Sequence, residues 1–222
     1  MDARTIAVGD IHGCARALAT LLAAIVPQPD DRLVILGDYI DRGPDTRDVL
    51  EQLLVLGEQC QLVVLLGNHE QMLLQCLAST TLRPQWLQYG GRETVDSYGG
   101  SLEDLPPTHL EFLRASRRCY ETRQYFFVHA NYVSTLPLDQ QPEPVVLWMH
   151  LTRHLPGPHV SGKTAIVGHT PLANGEILDL GYLVDIDTCC FGGGWLTALE
   201  VETRQVWQAN DAGMLRRQGG GG

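Results

Sequence analysis

Thr5-Ile6-Ala7-Val8-Gly9-Asp10-Ile11-His12-Gly13 is the stretch from which the rest of the chain can be read. Four apolar or β-favouring residues run without interruption into a glycine, and Asp and His follow it at alternate positions. A continuous run of this kind suits a strand covered on both faces. The Ala/Leu-rich segment from Cys14 to Val26, stopped by Pro27, suits a helix. The same order recurs. Arg32 to Leu36 leads into Gly37-Asp38-Tyr39-Ile40-Asp41-Arg42-Gly43 and a helical segment from Asp45 to Leu56. Gln61 to Leu66 leads into Gly67-Asn68-His69-Glu70 and a helical segment from Glu70 to Ala78. Tandem βα units predict parallel strands, with the polar motifs gathered at strand C-termini, where α/β sheets bind their ligands.

Beyond this half, residues 79–116 are punctuated by Pro84, Gly90-Gly91, Gly99-Gly100 and Pro106-Pro107 and read as a helical insert or cap. Strand-like runs follow at Cys119 to Thr122, Tyr125 to His129, Thr164 to Val167, Tyr182 to Ile186, Leu196 to Val201 and Gln205 to Gln208. Turn-like separators between several of them suggest a mostly antiparallel second half. Together the halves predict a four-layer α-β-β-α sandwich, two sheets face to face with helices outside. Residues 1–218 form one domain in this reading, and Gly219 to Gly222 form a low-complexity tail.

Composition narrows the function classes. With 16 Lys+Arg against 26 Asp+Glu, the net charge of −10 repels an extended phosphate backbone, so no nucleic-acid partner is expected. Arg114, Arg117 and Arg118 make too short a basic cluster to override that field. No apolar run reaches the ~18 residues of a membrane span, so no membrane partner is expected either. The six cysteines show no Cys-x-x-Cys spacing, and the first residues run almost directly into a strand, which points to a reducing, cytoplasmic setting.

Taken singly, a Gly-Asp turn or a strand-end histidine is ordinary. Asp10, His12, Asp38 and Asn68 after successive buried strands, joined by His129 after Tyr125-Phe126-Phe127-Val128 and His169 after Ala165-Ile166-Val167-Gly168, are not. Carboxylate, imidazole and amide oxygen without thiolate suit borderline or hard divalent ions. Asp38, on the middle loop, can bridge a metal pair about 3.5–4 Å apart, a spacing that clamps both oxygens of an in-line displacement.

These motifs, continued by Val128-His129-Ala130, Gly168-His169-Thr170-Pro171 and Ile186-Asp187-Thr188, resemble the phosphoprotein phosphatase branch of the metallophosphoesterases. The likeness is to its compact bacterial and phage form, lambda phosphatase among them. The resemblance implies one metal on Asp10, His12 and Asp38, a second on Asp38, Asn68, His129 and His169, and a bridging hydroxide as nucleophile. Manganese is the expected ion, with iron or zinc as alternatives. It also implies His69 as the general acid for the leaving oxygen, Asp41 as the residue that orients it, and Arg42, with Asn68, as the grip on phosphoryl oxygens. The phage relative carries a second arginine where this chain has His150, and Arg153 is the candidate replacement. Cys189 stands where glycine is usual, and Asn131 replaces a small or acidic residue.

The expected activity is hydrolysis of phosphate monoesters, with phosphorylated serine or threonine in proteins as favoured substrate. The alternative is symmetrical hydrolysis of a dinucleoside polyphosphate such as diadenosine tetraphosphate. A catalytically inert phosphate-binding module is the competitor from another class. Gly157 to Thr164 formally matches a phosphate-cradling loop but runs into a strand instead of a helix, and it is set aside. His150, His154 and His159 read as surface histidines, and Trp86, Tyr89 and Tyr98 as packing residues. Oligomeric state is left open.

Overall fold

Two five-stranded sheets pack face to face in the computed structural model, which describes residues 3–217. The glycines read as a tail, 219–222, lie outside the described residues. In the first sheet, β1 (Thr5–Val8), β2 (Arg32–Ile35) and β3 (Gln61–Val64) are parallel, with Ile6 opposite Leu33 and Leu33 opposite Leu62. The helices α1 (Ala15–Ile25) and α2 (Thr46–Gln59) cover the outer face, and α3 (Asn68–Ala78) follows β3. The third helix opens at Asn68, two residues before the expected start at Glu70, so Asn68 and His69 sit in its first turn. Glu70 explains the early start: its Oε2 accepts the Gly67 amide at 2.9 Å and so caps the helix entrance.

The second sheet has β4 (Cys119–Glu121), β5 (Tyr125–Val128), β6 (Thr164–Val167), β7 (Leu178–Asp179) and β8 (Leu183–Asp185) in the order β4-β5-β6-β8-β7. Its three central strands are parallel, and only the edge strands β4 and β7 are antiparallel to their neighbours. The expected mostly antiparallel second half is thus corrected only at the centre of this sheet, where β5, β6 and β8 run parallel, and it holds at the edges. The connection from β5 to β6, residues 129–163, has the length of a crossover and carries α7 (Glu143–Trp148) over the outer face. The last strands, β9 (Leu196–Glu200) and β10 (Val206–Ala209), leave that sheet altogether. They return to the first, where β9 lies antiparallel to β1.

Strand alternation divides the interior. Ile6, Val8, Leu33 and Ile35 face the helices of the first sheet, whereas Ala7, Val34 and Leu36 face Phe127, Ile166 and Val184 of the second. Each such Leu, Ile, Val or Phe contributes about 1.5–3 kcal/mol on burial, which is why both faces of the central strands are apolar. The insert contains α4 (Arg83–Trp86), a π-helical turn at Leu87–Gly91, α5 (Arg92–Ser97) and α6 (Pro107–Arg114). It is fastened to α2 through His109, which accepts from the Tyr98 hydroxyl at 2.6 Å and reaches Glu51 at 3.2 Å.

The loop at Gly157 to Thr164 enters β6 with no helix after it, and Lys163 pairs with Glu121 at 2.5 Å. Among the described residues, no helix is long and apolar enough to cross a membrane.

Candidate active site

Because β1, β2, β3, β5 and β6 all point their C-terminal ends to one edge of the sandwich, the loops after them converge. His12, Asp38 and His169 all take left-handed backbone angles, φ +45°, +48° and +66°, as do Asp41 and Arg42, both at +68°. Each such non-glycine residue costs about 1–2 kcal/mol. A cluster of them persists only where surrounding bonds impose it, as at functional sites.

Around Asp38 those bonds come from Glu70. It is fully buried and takes four backbone amides: Oε2 accepts from Asp38 and Gly67, each at 2.9 Å, and Oε1 accepts from Tyr39 at 2.9 Å and Ile40 at 3.2 Å. The Asp38 carbonyl in turn accepts the amides of Ile11 (3.0 Å) and His12 (2.9 Å), stitching the first loop to the second. Glycines at the crossings allow the approach: a Cβ on Gly67 would lie 2.2 Å from Asp38 Oδ1.

Asp38 is central. Its Oδ2 lies 3.6 Å from His12 Nε2 and 3.9 Å from His69 Nε2, and its Oδ1 lies 3.4 Å from His129 Nε2. Two groups of ligand atoms, each within 4.8 Å of one another, share it: His12-Asp38-His69 and Asp38-His129-His169. The Asn68 side-chain oxygen, 3.1 Å from His129 Nε2, belongs beside the second. Asp10 falls in neither group. It is buried, its carboxylate accepts the His169 amide at 3.2 Å, and His69 stands in the first group where the sequence reading had put Asp10.

The donor chemistry can be tested against a cation directly. His129 Nδ1 donates to the Leu36 carbonyl at 2.9 Å, so its Nε2 presents a lone pair. That lone pair faces the oxygens of Asn68 and Asp38 and, at 3.2 Å, His169 Nδ1. His12 likewise sets Nδ1 on the Ile40 carbonyl at 3.0 Å, while its inward Nε2 takes a donor from Arg42. Acceptors converging on acceptors call for positive charge, and the residues fit a pair of divalent ions held through Asp38.

The titration behaviour agrees. Burial works against a charged His129, yet Asp38 and Glu70 hold it above the ordinary imidazole range. Burial, Asp187 and Asp38 push the Asp10 carboxyl well up, and burial drives His169 down to about 3. Burial and Asp38 likewise push Glu70 up to about 7, against the pull of its amide donors.

His69 Nδ1 donates to Asp41 Oδ2 at 2.7 Å, leaving Nε2 buried, aimed into the site and without a hydrogen-bond partner. Burial alone would lower this imidazole, but the carboxylates of Asp38 and Asp41 hold it above its ordinary value. Arg42 is half-buried; its Nη1 donates to His12 Nε2 at 2.9 Å and its guanidinium lies 4.5 Å from the Phe191 ring centre. Arg153 is exposed, and its charge adds to burial in lowering the neighbouring His150 imidazole.

His150 departs from the surface reading by stacking on His169 at 4.3 Å. His159 is a buried structural histidine, bonded to Ser161 (2.7 Å) and to the Leu136 carbonyl (2.8 Å). Trp86 does pack, at 1% exposure, but its indole also donates to Asp41 at 2.7 Å. Sequence reasoning missed Glu70, Trp86, Thr94, Phe191 and Asp187 as site residues. Glu70 and Asp187 lay inside quoted motifs and could have been found there, whereas the others lie on segments with no motif.

The chain is 27% identical over 269 aligned residues to a symmetrical bis(5'-nucleosyl)-tetraphosphatase of Erwinia tasmaniensis, covering 91% of this chain and 96% of that one. It is 31% identical over 210 residues to serine/threonine-protein phosphatase 1 of Salmonella typhimurium, covering 88% and 90%. Among solved structures, one described provisionally as a diadenosine tetraphosphatase superposes with a TM-score of 0.73 at 23% identity, over 99% of this chain and 96% of that one. A cold-active protein-tyrosine phosphatase from Shewanella gives 0.70 at 18% identity, over 97% and 80%. The family model for calcineurin-like phosphoesterases matches residues 3–193, a span that holds every one of the converging loops, and the chain belongs to that family.

Proposed function

We propose that this metal-dependent phosphoesterase hydrolyses dinucleoside tetraphosphates symmetrically, with Asp38 as the bridge of a two-ion centre. The observation that carries the metal chemistry is the pair of ligand groups sharing Asp38, with acceptor atoms turned on one another. What supports the substrate is the run of relatives named as symmetrical tetraphosphatases, one aligned along 96% of its length. This reverses the preference drawn from motifs alone, which favoured phosphoproteins.

Ions held by Asp10, His12, Asp38, Asn68, His129 and His169 would supply Lewis acidity and a water nucleophilic at neutral pH. The chain's own residues do the rest. Arg42 presents a planar fork to phosphoryl oxygens beside the ligands. His69 delivers a proton from Nε2 to the departing oxygen, with Nδ1 fixed on Asp41. In symmetrical cleavage, water adds to one inner phosphorus and the anhydride bond to the other inner phosphate breaks, giving two nucleoside diphosphates.

A second reading, protein dephosphorylation, is favoured by one observation. The 269-residue alignment with the Erwinia tetraphosphatase is longer than this 222-residue chain, so that relative carries insertions missing here. The alignment with the Salmonella phosphatase, 210 residues, carries no such excess.

Manganese-dependent initial rates on diadenosine tetraphosphate and on a phosphoserine/phosphothreonine peptide separate the two, with nitrophenyl phosphate as a competence control. Faster turnover of the dinucleotide to two molecules of ADP is the expected result. A preference for the peptide, or ATP and AMP as products, overturns the proposal.

A further inference from the structure

The aspartate that orients the proposed acid is itself held from the insert. Asp41 is fully buried, and its oxygens accept three donors: His69 Nδ1 and Trp86 Nε1 on Oδ2, and Thr94 Oγ1 on Oδ1, each at 2.7 Å. Its backbone amide donates back to Thr94 Oγ1 at 3.0 Å and to Thr46 Oγ1 at 3.2 Å. One residue on, the Arg42 amide donates to the Gly90 carbonyl at 3.0 Å. Trp86, Gly90 and Thr94 thus fasten, from one short stretch of the insert, two consecutive residues whose left-handed backbone has to be imposed from outside.

The stretch is built for this contact. The π-helical turn at Leu87–Gly91 carries Gly90 at φ +105°, where a Cβ would meet Arg42 Cγ at 2.6 Å. A Cβ on Gly91 would come within 2.3 Å of the Trp86 indole, so that ring lies flat on bare backbone. Packing alone would account for the ring but not for an indole N–H directed at the oxygen that also holds His69. Removing that donor leaves Oδ2 to the imidazole alone and frees the carboxylate to turn, taking the aim of His69 Nε2 with it.

We infer that Trp86 and Thr94 are positioning residues for proton delivery, and that residues 86–94 set the aim of His69 and the seat of Arg42 together. The inference rests on the reading of His69 as the general acid. It makes the insert part of the catalytic framework.

The test uses manganese-loaded protein and a series of aryl and alkyl phosphates graded by leaving-group pKa. Trp86→Phe keeps an aromatic ring and deletes the N–H; Thr94→Val keeps the shape and deletes the hydroxyl; Thr94→Ser restores it. Both deletions are expected to slow alkyl phosphate hydrolysis about tenfold to a hundredfold and nitrophenyl phosphate hydrolysis several-fold less, with metal content unchanged. Thr94→Ser is expected to recover most of the loss, and His69→Asn to show the same grading more steeply.

Equal losses across the series in both deletions, or no loss in either, with His69→Asn still graded, overturn the positioning role. A flat response in His69→Asn overturns the acid assignment itself and the inference with it. If Trp86→Phe does not fold, the Thr94 pair decides alone.

Discussion

Asp38 turns one oxygen towards His12 and the other towards His129, so an amide in its place takes an oxygen from one half of the ligand set and the negative charge from both. Asp38→Asn is therefore expected to weaken metal retention about 10–100-fold and to lower activity in parallel, measured by metal analysis after gel filtration. Full activity with two ions retained would remove Asp38 from the bridge. His69→Asn acts differently: metal content is kept, and turnover of poor leaving groups falls by about 10²–10⁴. Glu70 touches no reacting group in this scheme, yet it fixes the loop that carries Asp38. Glu70→Gln sets an amide donor against backbone N–H groups, and urea denaturation should show a loss of about 3 kcal/mol. A change below about 1 kcal/mol would mean the loop keeps its shape without the clamp. The residues legible beforehand were those tied to strand ends by short glycine-framed motifs. Trp86, Thr94 and Phe191 were not, because their roles depend on which partner the fold brings to them.

Elements were legible for the same reason the core exists: Thr5–Val8, Arg32–Ile35, Tyr125–Val128 and Thr164–Val167 are apolar runs too short for helices. The parallel pairing of β1, β2 and β3 was legible too, from their tandem βα order, whereas that of the second sheet was not, since an apolar run reads alike beside a parallel or an antiparallel neighbour. The parallel centre of the second sheet was written in the length of the β5 to β6 connection and not in its strands. Backbone angles give one element-scale test. Cys189 has φ +61° at the turn leading to Cys190–Gly192, where the family resemblance implies glycine. Cys189→Gly relieves the Cβ penalty and is expected to stabilise the protein by up to about 1 kcal/mol in chemical denaturation. A clear loss instead would show that the Cys189 side chain contributes packing that outweighs the strain.

At the scale of the whole molecule, the proposed ligands would come from both sheets: Asp10, His12, Asp38 and Asn68 from the first, His129 and His169 from the second. Ions bound there would join the sheets, and chelation with EDTA should then lower the melting temperature and leave Asp10, Asp38 and Asp187 as uncompensated neighbours. An unchanged melting temperature would contradict a centre built across the sandwich. Far from the site, Asp31 holds the start of the first sheet together by accepting from the side chain and amide of Arg4 and, at 2.8 Å, from Gln28. The Arg4 guanidinium lowers the Asp31 carboxyl despite burial. A depressed carboxyl stabilises above its unfolded value and loses that contribution as pH falls through its folded value. Asp31→Asn should thus be less stable at neutral pH, and the gap should close below about pH 4 in thermal melts. A gap independent of pH would assign the effect to packing.

The return of β9 to β1 also decides when the molecule can be completed. Ile6 pairs with Glu200, a contact between opposite ends of the chain, while β1 has only β2 on its other side. During synthesis, one edge of β1 must wait unpaired until nearly the last strand has left the ribosome. Contacts so distant in sequence form slowly. The fold closes like a buckle whose clasp is made last, and products ending before Leu196 should aggregate and not persist as half-enzymes.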